Sequence, residues 1–452
     1  MSGAESSQEA CPPSDTGLSG VTDMLEKTSS YQEVGLVEKV IGLIIEAKGP
    51  HARMGDLCKI YTENPHTPVL LAEVVGFRDG RVLMMPLGEM EDLSPGCKVM
   101  NTDESFKVNV GPELLGRVLD GLGNPIDDRF PISSGMRFHT HAHAPHPLKR
   151  KEIDAPIVLG IKAIDGFTTV GTGQRIGIFS GSGVGKSTTL GMIARNTEAD
   201  MSVIALIGER GREVRDFLDN ALGEEGMRRS VVIVATSEQP AMTKIKAAMV
   251  ATTIAEYFRK SGKNVLLMMD SLTRVAMALR EVGLAVGEPP ASRGYTPSVF
   301  AFMPKLLERT GTSDTGSITG LYTVLVESDD FNEPVSDMVR GLLDGHIILS
   351  RELAEQNHFP AVDVLASVSR LMISIATPEH IAAAGKIRDM LAVYKKSEDL
   401  VNIGAYVPGT NPKLDKALHL KDQIDQLLRQ GVSDSPSFEE TVQGLLQLAD
   451  RI

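Results

Sequence analysis

The stretch Ile176-Gly177-Ile178-Phe179-Ser180-Gly181-Ser182-Gly183-Val184-Gly185-Lys186-Ser187-Thr188 decides how the rest of the chain reads. An apolar run breaks into glycines, ends in Lys-Ser, and passes into helical spacing at Leu190, Met192 and Ile193. Glycines let the backbone curl until several N–H groups face one anion, and the helix that follows turns its positive dipole end toward the same anion. The motif predicts a phosphate cradle built from Gly181, Ser182, Gly183, Val184, Gly185, Lys186, Ser187 and Thr188 at the end of a strand. In that pattern Lys186 reaches the β- and γ-phosphates and the Ser187 hydroxyl ligates Mg²⁺. Ser180 stands where the strict pattern has glycine, but a small residue can still turn there and the Gly-Lys-Ser core is intact.

Hydrolysis at such a cradle also needs a carboxylate for the metal, a group to orient water, and positive charge facing the transferred phosphoryl. Residues 265–270 read as a buried strand ending in Asp270. Such an aspartate holds the Mg²⁺ water shell from the strand adjacent to the cradle; the alternative is a structural role at a helix start, since Ser271 follows and could cap it. Residues 203–210 form a second apolar run, ending in Glu209 beside Arg210. Glu209 is placed to polarise a water and Arg210 to face phosphate oxygens, the alternative being an exposed ion pair within the charged run 209–215. Arg274, one helical turn past Asp270, returns to the same rim.

Outward from this centre, strand-like runs at 176–179, 203–207, 231–234, 265–269 and 321–326 alternate with helical stretches such as 242–258, the pattern of a mostly parallel sheet wrapped by helices. Nucleotides bind such sheets at the carboxyl ends of the strands. Before it, residues 35–101 carry short β-rich runs, among them 37–45 and 69–75, and Asp79-Gly80 between two apolar runs is a strong hairpin signal. These runs predict a small barrel or sandwich. After the sheet, Ile387, Met390, Leu391 and Tyr394, then Leu420, Ile424, Leu427 and Leu428, line helix faces and predict a small helical domain. Ser433 to Ser437 reads as a turn and 438–448 as a further helix. His139, His141, His143 and His146 alternate in a proline-bearing stretch that reads as an extended surface linker rather than a metal site.

At 452 residues the chain is too long for one ordinary core. A net charge of -13 disfavours sequence-independent nucleic-acid binding. Cys11, Cys58 and Cys97 lack metal spacing and read as free thiols in a reducing compartment. The polar first twenty residues are unlike a signal peptide, and no apolar run reaches the roughly 18 to 20 residues that span a bilayer. The expectation is a cytoplasmic protein whose membrane association runs through partners. Leu18, Val21 and Leu25 fall at helical spacing in an otherwise polar tail, compatible with a segment that folds onto a partner.

From residue 35 to 430 the chain resembles the hexameric ATPase family that contains the rotary ATP synthase α and β subunits and the type III secretion ATPases. The resemblance is carried by Gly-Arg-Val-Leu-Asp-Gly-Leu-Gly-Asn-Pro-Ile-Asp (116–127), Gly-Ile-Lys-Ala-Ile-Asp (160–165), and Gly-Glu-Pro-Pro (287–290) before Gly-Tyr-Thr-Pro-Ser-Val-Phe (294–300). It implies an α/β fold: a mobile partner-binding segment (1–34), an N-terminal β-barrel (35–105), a central P-loop, RecA-like domain (106–375) and a C-terminal helical domain (376–452). It further implies ATP and Mg²⁺ as substrate and cofactor, Glu209 as the catalytic glutamate, Arg210 and Arg274 on phosphates, Asp270 at the metal, and Arg370 of Val368-Ser369-Arg370 as a finger reaching the neighbouring subunit's site. Phe359, in His-Phe-Pro-Ala-Val-Asp, falls where the family sets an aromatic against adenine; a core phenylalanine is the alternative. Glu209 separates the chain from non-catalytic α-type subunits. The words at 208–214 and 343–351 resemble secretion ATPases, and Gly404-Ala405-Tyr406 resembles the flagellar rather than the injectisome branch. A homohexamer is implied, with a stator or regulator protein at the N-terminal segment, a central coiled-coil stalk, export chaperones with cargo, and a membrane export gate. A non-hydrolysing ring subunit and an RNA-dependent hexameric motor are the readings from other classes.

Overall fold

The computed structural model describes residues 33–64, 66–132, 135–326 and 330–452. Leu18, Val21, Leu25 and Cys11 lie outside the described residues. The first described unit is a closed barrel of β1 (Val34–Ile41), β2 (Ile44–Lys48), β3 (Asp56–Tyr61), β4 (Leu70–Arg78), β5 (Arg81–Pro86) and β6 (Lys98–Ser105), in the order β1-β2-β5-β4-β3-β6. The Asp79-Gly80 turn is the one its sequence signals: both residues have positive φ, 50° and 73°, as a two-residue hairpin with the right-handed strand twist requires. The run expected as one strand over 37–45 is instead two. Gly42 at φ 58° turns the chain so that Ile41 pairs with Ile44, and the apolar residues directly on either side, Val40-Ile41 and Leu43-Ile44-Ile45, hid the turn.

The centre of the molecule is a nine-stranded sheet. Its strands are β7 (Val118–Asp120), β8 (Arg175–Ser180), β9 (Met201–Ile207), β10 (Ser230–Ala235), β11 (Asn264–Asp270), β12 (Ser317–Leu325), β13 (Gly345–Leu349) and β14 (Val368–Ser369), ordered β14-β13-β8-β12-β11-β9-β10-β7, with the short strand Gly311–Thr312 paired to β12. Strands β13, β8, β12, β11, β9, β10 and β7 are mutually parallel, whereas β14 at one edge is antiparallel. Asp270 does not come from the strand next to the cradle, as the sequence led us to expect. Strand β12 lies between β8 and β11, and strand order is set by helix crossovers that local composition does not encode.

Both faces of the sheet are covered, which is why its strands are apolar without alternation. Val203, Ala205 and Ile207 face one core together with Val265, Leu267 and Met269, while Ile204, Leu206, Leu266 and Met268 face the other. Helix α1 (Lys186–Asn196) lies on the second face. On the first lie α2 (Ala241–Lys260) and α3 (Leu272–Val286), together with barrel residues Leu83, Met85 and Leu87. The barrel is further fastened to α2 by Thr243 Oγ1 donating to the Leu87 carbonyl at 3.1 Å and by a buried ion pair between Lys246 and Glu73.

The C-terminal helices α4 (Pro378–Asn402), α5 (Pro412–Leu428) and α6 (Phe438–Ala449) each begin on a side-chain cap: Thr377, Asn411, and Ser437 in a reciprocal box with Glu440. The expected stripe is the packing face, with Ile387, Met390, Leu420, Ile424 and Leu428 buried. These residues share one continuous core with Ile176, Ile178 and Leu190 around the cradle. His139 closes a short strand, Arg137–His139, paired with Lys107–Asn109, so the histidine stretch is partly sheet rather than wholly extended linker.

Candidate active site

The cradle follows β8 directly. Gly183 and Gly185 have φ of 80° and 84°, a left-handed conformation that a side chain would strain, and Gly185 forms the N-cap of α1. No side chain caps that end of α1, so its first N–H groups remain to meet an anion. A cleft of about 930 Å³ opens over the cradle, walled by Gly181, Ser182, Gly183, Lys186, Ser187 and Thr188 on one side and by Glu209, Arg210 and Arg274 on the other.

The two carboxylates singled out in the sequence meet at one lysine. Lys186 Nζ lies 2.5 Å from Asp270 Oδ1 and 3.1 Å from Glu209 Oε1. Burial by itself would favour the neutral amine, but the Asp270 and Glu209 charges outweigh it and hold the Lys186 pKa above the ordinary lysine value. The ammonium is therefore fully charged at the mouth of the cradle. Asp270 Oδ1 also accepts a 2.7 Å hydrogen bond from Thr323 Oγ1, on the intervening strand β12. Ser271 does cap α3, its hydroxyl accepting from Arg274 N, so the capping role considered for this position falls to Ser271 and leaves Asp270 to face Lys186.

Gly208, at φ 74°, turns the chain so that Glu209 leaves strand β9 toward Lys186. A Cβ on Gly208 would lie 2.8 Å from Arg274 Cγ, so the glycine also admits the Arg274 stem. Arg274 lines the cleft, and its buried Nε has no hydrogen-bond partner among the described residues. A buried guanidinium nitrogen left over beside a glycine cradle is chemistry suited to an anion. Arg210 also lines the cleft, with its side chain 80% exposed and 3.6 Å from Glu213.

Phe359 is 40% exposed, and its ring is the first contact that a Cβ on Gly185 would meet, at 3.4 Å. It is a rim residue beside the cradle rather than core. Arg370 is exposed, just past the edge strand β14, and does not line the cleft. The structure thus brings together every candidate except Arg370. Sequence reasoning missed Thr323, Ser237, Glu213 and Arg351, the last three of which line the same cleft. Thr323 sits in an apolar strand with no motif about it, whereas Glu213, one turn beyond Glu209 on a short helix, had a spacing that could have found it.

Comparison with known proteins agrees with this geometry. Family models match for the ATP synthase alpha/beta family β-barrel domain over residues 37–103, its nucleotide-binding domain over 160–369, and the T3SS EscN ATPase C-terminal domain over 376–447. The last match reaches past residue 430, where the resemblance read from the sequence stopped. The chain is 53% identical to the flagellum-specific ATP synthase of Bacillus subtilis, over 94% of this chain and 97% of that protein. It is 47% identical to a type 3 secretion system ATPase of Xanthomonas euvesicatoria, over 92% of this chain and 94% of that one. The structure of the assembled ATPase EscN from enteropathogenic E. coli superposes with a TM-score of 0.87 at 47% identity, over 92% of this chain and all of that one. The chain accordingly belongs to the ATP synthase alpha/beta family, in the branch of the flagellum-specific ATP synthases and type III secretion ATPases.

Proposed function

We propose that the protein hydrolyses ATP with Mg²⁺ in a homohexameric ring and that this hydrolysis energises the docking, unfolding and export of proteins through a flagellar type III apparatus. The observation that carries the chemistry is Lys186 at the cradle, within hydrogen-bond reach of both Glu209 and Asp270. The uncapped α1 N-terminus and the orphaned Arg274 Nε fit a polyphosphate. Ser187 and Asp270 are the oxygen donors that would hold Mg²⁺, whose part is to draw charge from the β- and γ-phosphates. Glu209 orients a water in line with the γ-phosphorus and takes up its proton as the bond to the ADP oxygen breaks. Lys186, Arg210 and Arg274 stabilise the negative charge on the phosphoryl oxygens in flight. Phe359, exposed beside Gly185, offers its ring face to adenine.

Arg370 fits a different position. Exposed at a sheet edge and outside its own cleft, it completes the site of the adjacent protomer, so that turnover requires assembly. A related structure is that of EscN in complex with its central stalk EscO. By analogy the ring surrounds a coiled-coil stalk and receives chaperone-bound cargo at a membrane export gate, while residues 1–34 bind a stator or regulator protein. The domains are then this segment, the barrel (35–105), the catalytic domain (106–375) and the helical domain (376–452). Flagellar rather than injectisome cargo is supported by the identities of 53% and 49% to flagellum-specific ATP synthases against 47% to a type 3 secretion ATPase. A cytoplasmic ring attached to the membrane through partners is part of this reading; no helix among the described residues is long and apolar enough to cross a membrane.

The test is steady-state Mg²⁺-ATP turnover of Glu209→Gln against wild type. Loss of a water-orienting base lowers kcat by about 10²-fold or more, with nucleotide still bound. A rate within threefold of wild type would remove Glu209 from this role.

A further inference from the structure

We propose that Lys244 is a positioning residue for hydrolysis: it anchors the loop whose backbone holds Glu209 in place. The inference rests on the water-orienting role given to Glu209 above. Residues 236–240 join β10 to α2 and reach the cleft through Ser237. The Ser237 N–H donates to the Glu209 carbonyl at 3.0 Å, while the Gly208 N–H donates to the Ala235 carbonyl at 2.6 Å. The main chain carrying the catalytic carboxylate is therefore stitched to the end of β10 on both sides of the Gly208–Glu209 bend.

What holds that stitch is a lysine. Ser237 presents its own carbonyl to Lys244 Nζ, at 2.7 Å. Lys244 lies near the start of α2, a helix tied to the barrel: its neighbour Thr243 bonds the barrel at Leu87, and Lys246, one half-turn on, pairs with Glu73. The other side-chain bonds of the loop are internal, from Thr236 and Ser237 to Glu238, and constrain its shape but not its place. Lys244 itself does not line the cleft. Its ammonium stays among charges of both signs: burial and Arg274 lower its pKa, and Glu281 and Glu238 oppose them. The chain of contacts runs from barrel to α2, from α2 through Lys244 to Ser237, and from Ser237 to Glu209. If Lys244 lets go, the loop loses its side-chain tie to α2, and a displacement approaching 1 Å at a catalytic group costs up to about 10²-fold in rate.

The experiment compares Lys244→Met, Lys244→Arg and Glu209→Gln with wild type in Mg²⁺-ATP turnover, at protein concentrations where specific activity has levelled off, together with the affinity for a fluorescent ATP analogue. For Lys244→Met we expect kcat down about 10-fold with KM and analogue affinity within twofold of wild type, and for Lys244→Arg, which keeps a donor within reach of the Ser237 carbonyl, kcat within threefold. Unchanged kcat in Lys244→Met, a loss of analogue affinity matching the loss of rate, or failure of Lys244→Arg to restore turnover would each overturn the proposal. Glu209→Gln separates it from the reading beneath: an active Glu209→Gln variant removes the role of Glu209 itself, whereas an inactive one beside a fully active Lys244→Met removes only the anchor.

Discussion

Neutralising Glu73 should loosen the barrel from the nucleotide domain far more than its place on a barrel strand suggests. Glu73 Oε2 is in direct contact with the ammonium of Lys246. The Lys246 side chain is 1% exposed and that of Glu73 9%, so neither charge regains water unless barrel and α2 part. Removing one member of such a pair leaves the other charge buried and uncompensated, at about 3–5 kcal/mol. The Phe106 ring, its centroid 5.4 Å from the ammonium, is there in wild type and variant alike and does not change the difference. In Glu73→Gln the amide oxygen can still accept from the ammonium, so the expected loss lies at the low end, about 3 kcal/mol. Replacing both members with apolar groups of similar volume, Glu73→Leu with Lys246→Met, removes the stranded charge and should cost less than about 1 kcal/mol relative to wild type. The assay is urea unfolding of wild type, Glu73→Leu, Lys246→Met and the double variant, with Glu73→Gln alongside, monitored by a probe placed in the barrel. Single-variant losses below about 1 kcal/mol, or losses that simply add in the double variant, would refute the argument, since contacting charges must couple.

Two further outcomes follow from geometry already described. Arg370→Ala, mixed into wild-type protein, should depress turnover more than dilution accounts for, because each variant protomer disables the site beside it; strict proportionality to the wild-type fraction would retire a finger acting across the interface. Hydrogen bonds from Arg117 hold the Asp127 carboxyl at about 2, below its ordinary 3.8. A depressed carboxyl contributes stability above its unfolded value and loses it as pH falls through the folded one. Acid titration of stability should therefore show a loss of about 2 kcal/mol between roughly pH 4 and pH 2 that Asp127→Asn abolishes, and an unchanged acid slope in that variant would contradict it.

Most of the site was legible because its parts are punctuated. Gly183, Gly185 and Gly208 are glycines for backbone reasons, and Glu209 and Asp270 end apolar strands, where a carboxylate has nothing else to explain it. The hairpin at Asp79-Gly80 and the turn ending at Ser437 before a helix were legible on the same grounds, each being a local conformation with its own residue chemistry. What escaped was tertiary. That β12 lies between β8 and β11 follows from how the crossovers wrap, and Thr323 acquires its bond to Asp270 only through that order. Lys246 reads as one more helix lysine until the barrel is seen to cover it. The turn at Gly42 was lost because Val40-Ile41 and Leu43-Ile44-Ile45 stand directly on either side of it, with no polar residue next to the glycine to mark it.

Helix α4 is 25 residues long, about 37 Å at 1.5 Å per residue. Its near end, through Ala383, Ala384 and Ile387, is set in the same core as the strand that feeds the cradle, and Gln430 N–H, just past α5, bonds the Phe359 carbonyl at 3.0 Å. Its far end carries Leu400, followed by Ile403 and Val407, which are 52%, 75% and 63% exposed. A rod rooted at one end works as a pointer: a rotation of about 10° at the root sweeps the tip through about 6 Å. A small rotation at the cradle end would therefore appear at the far end as a displacement of the exposed apolar residues Leu400, Ile403 and Val407.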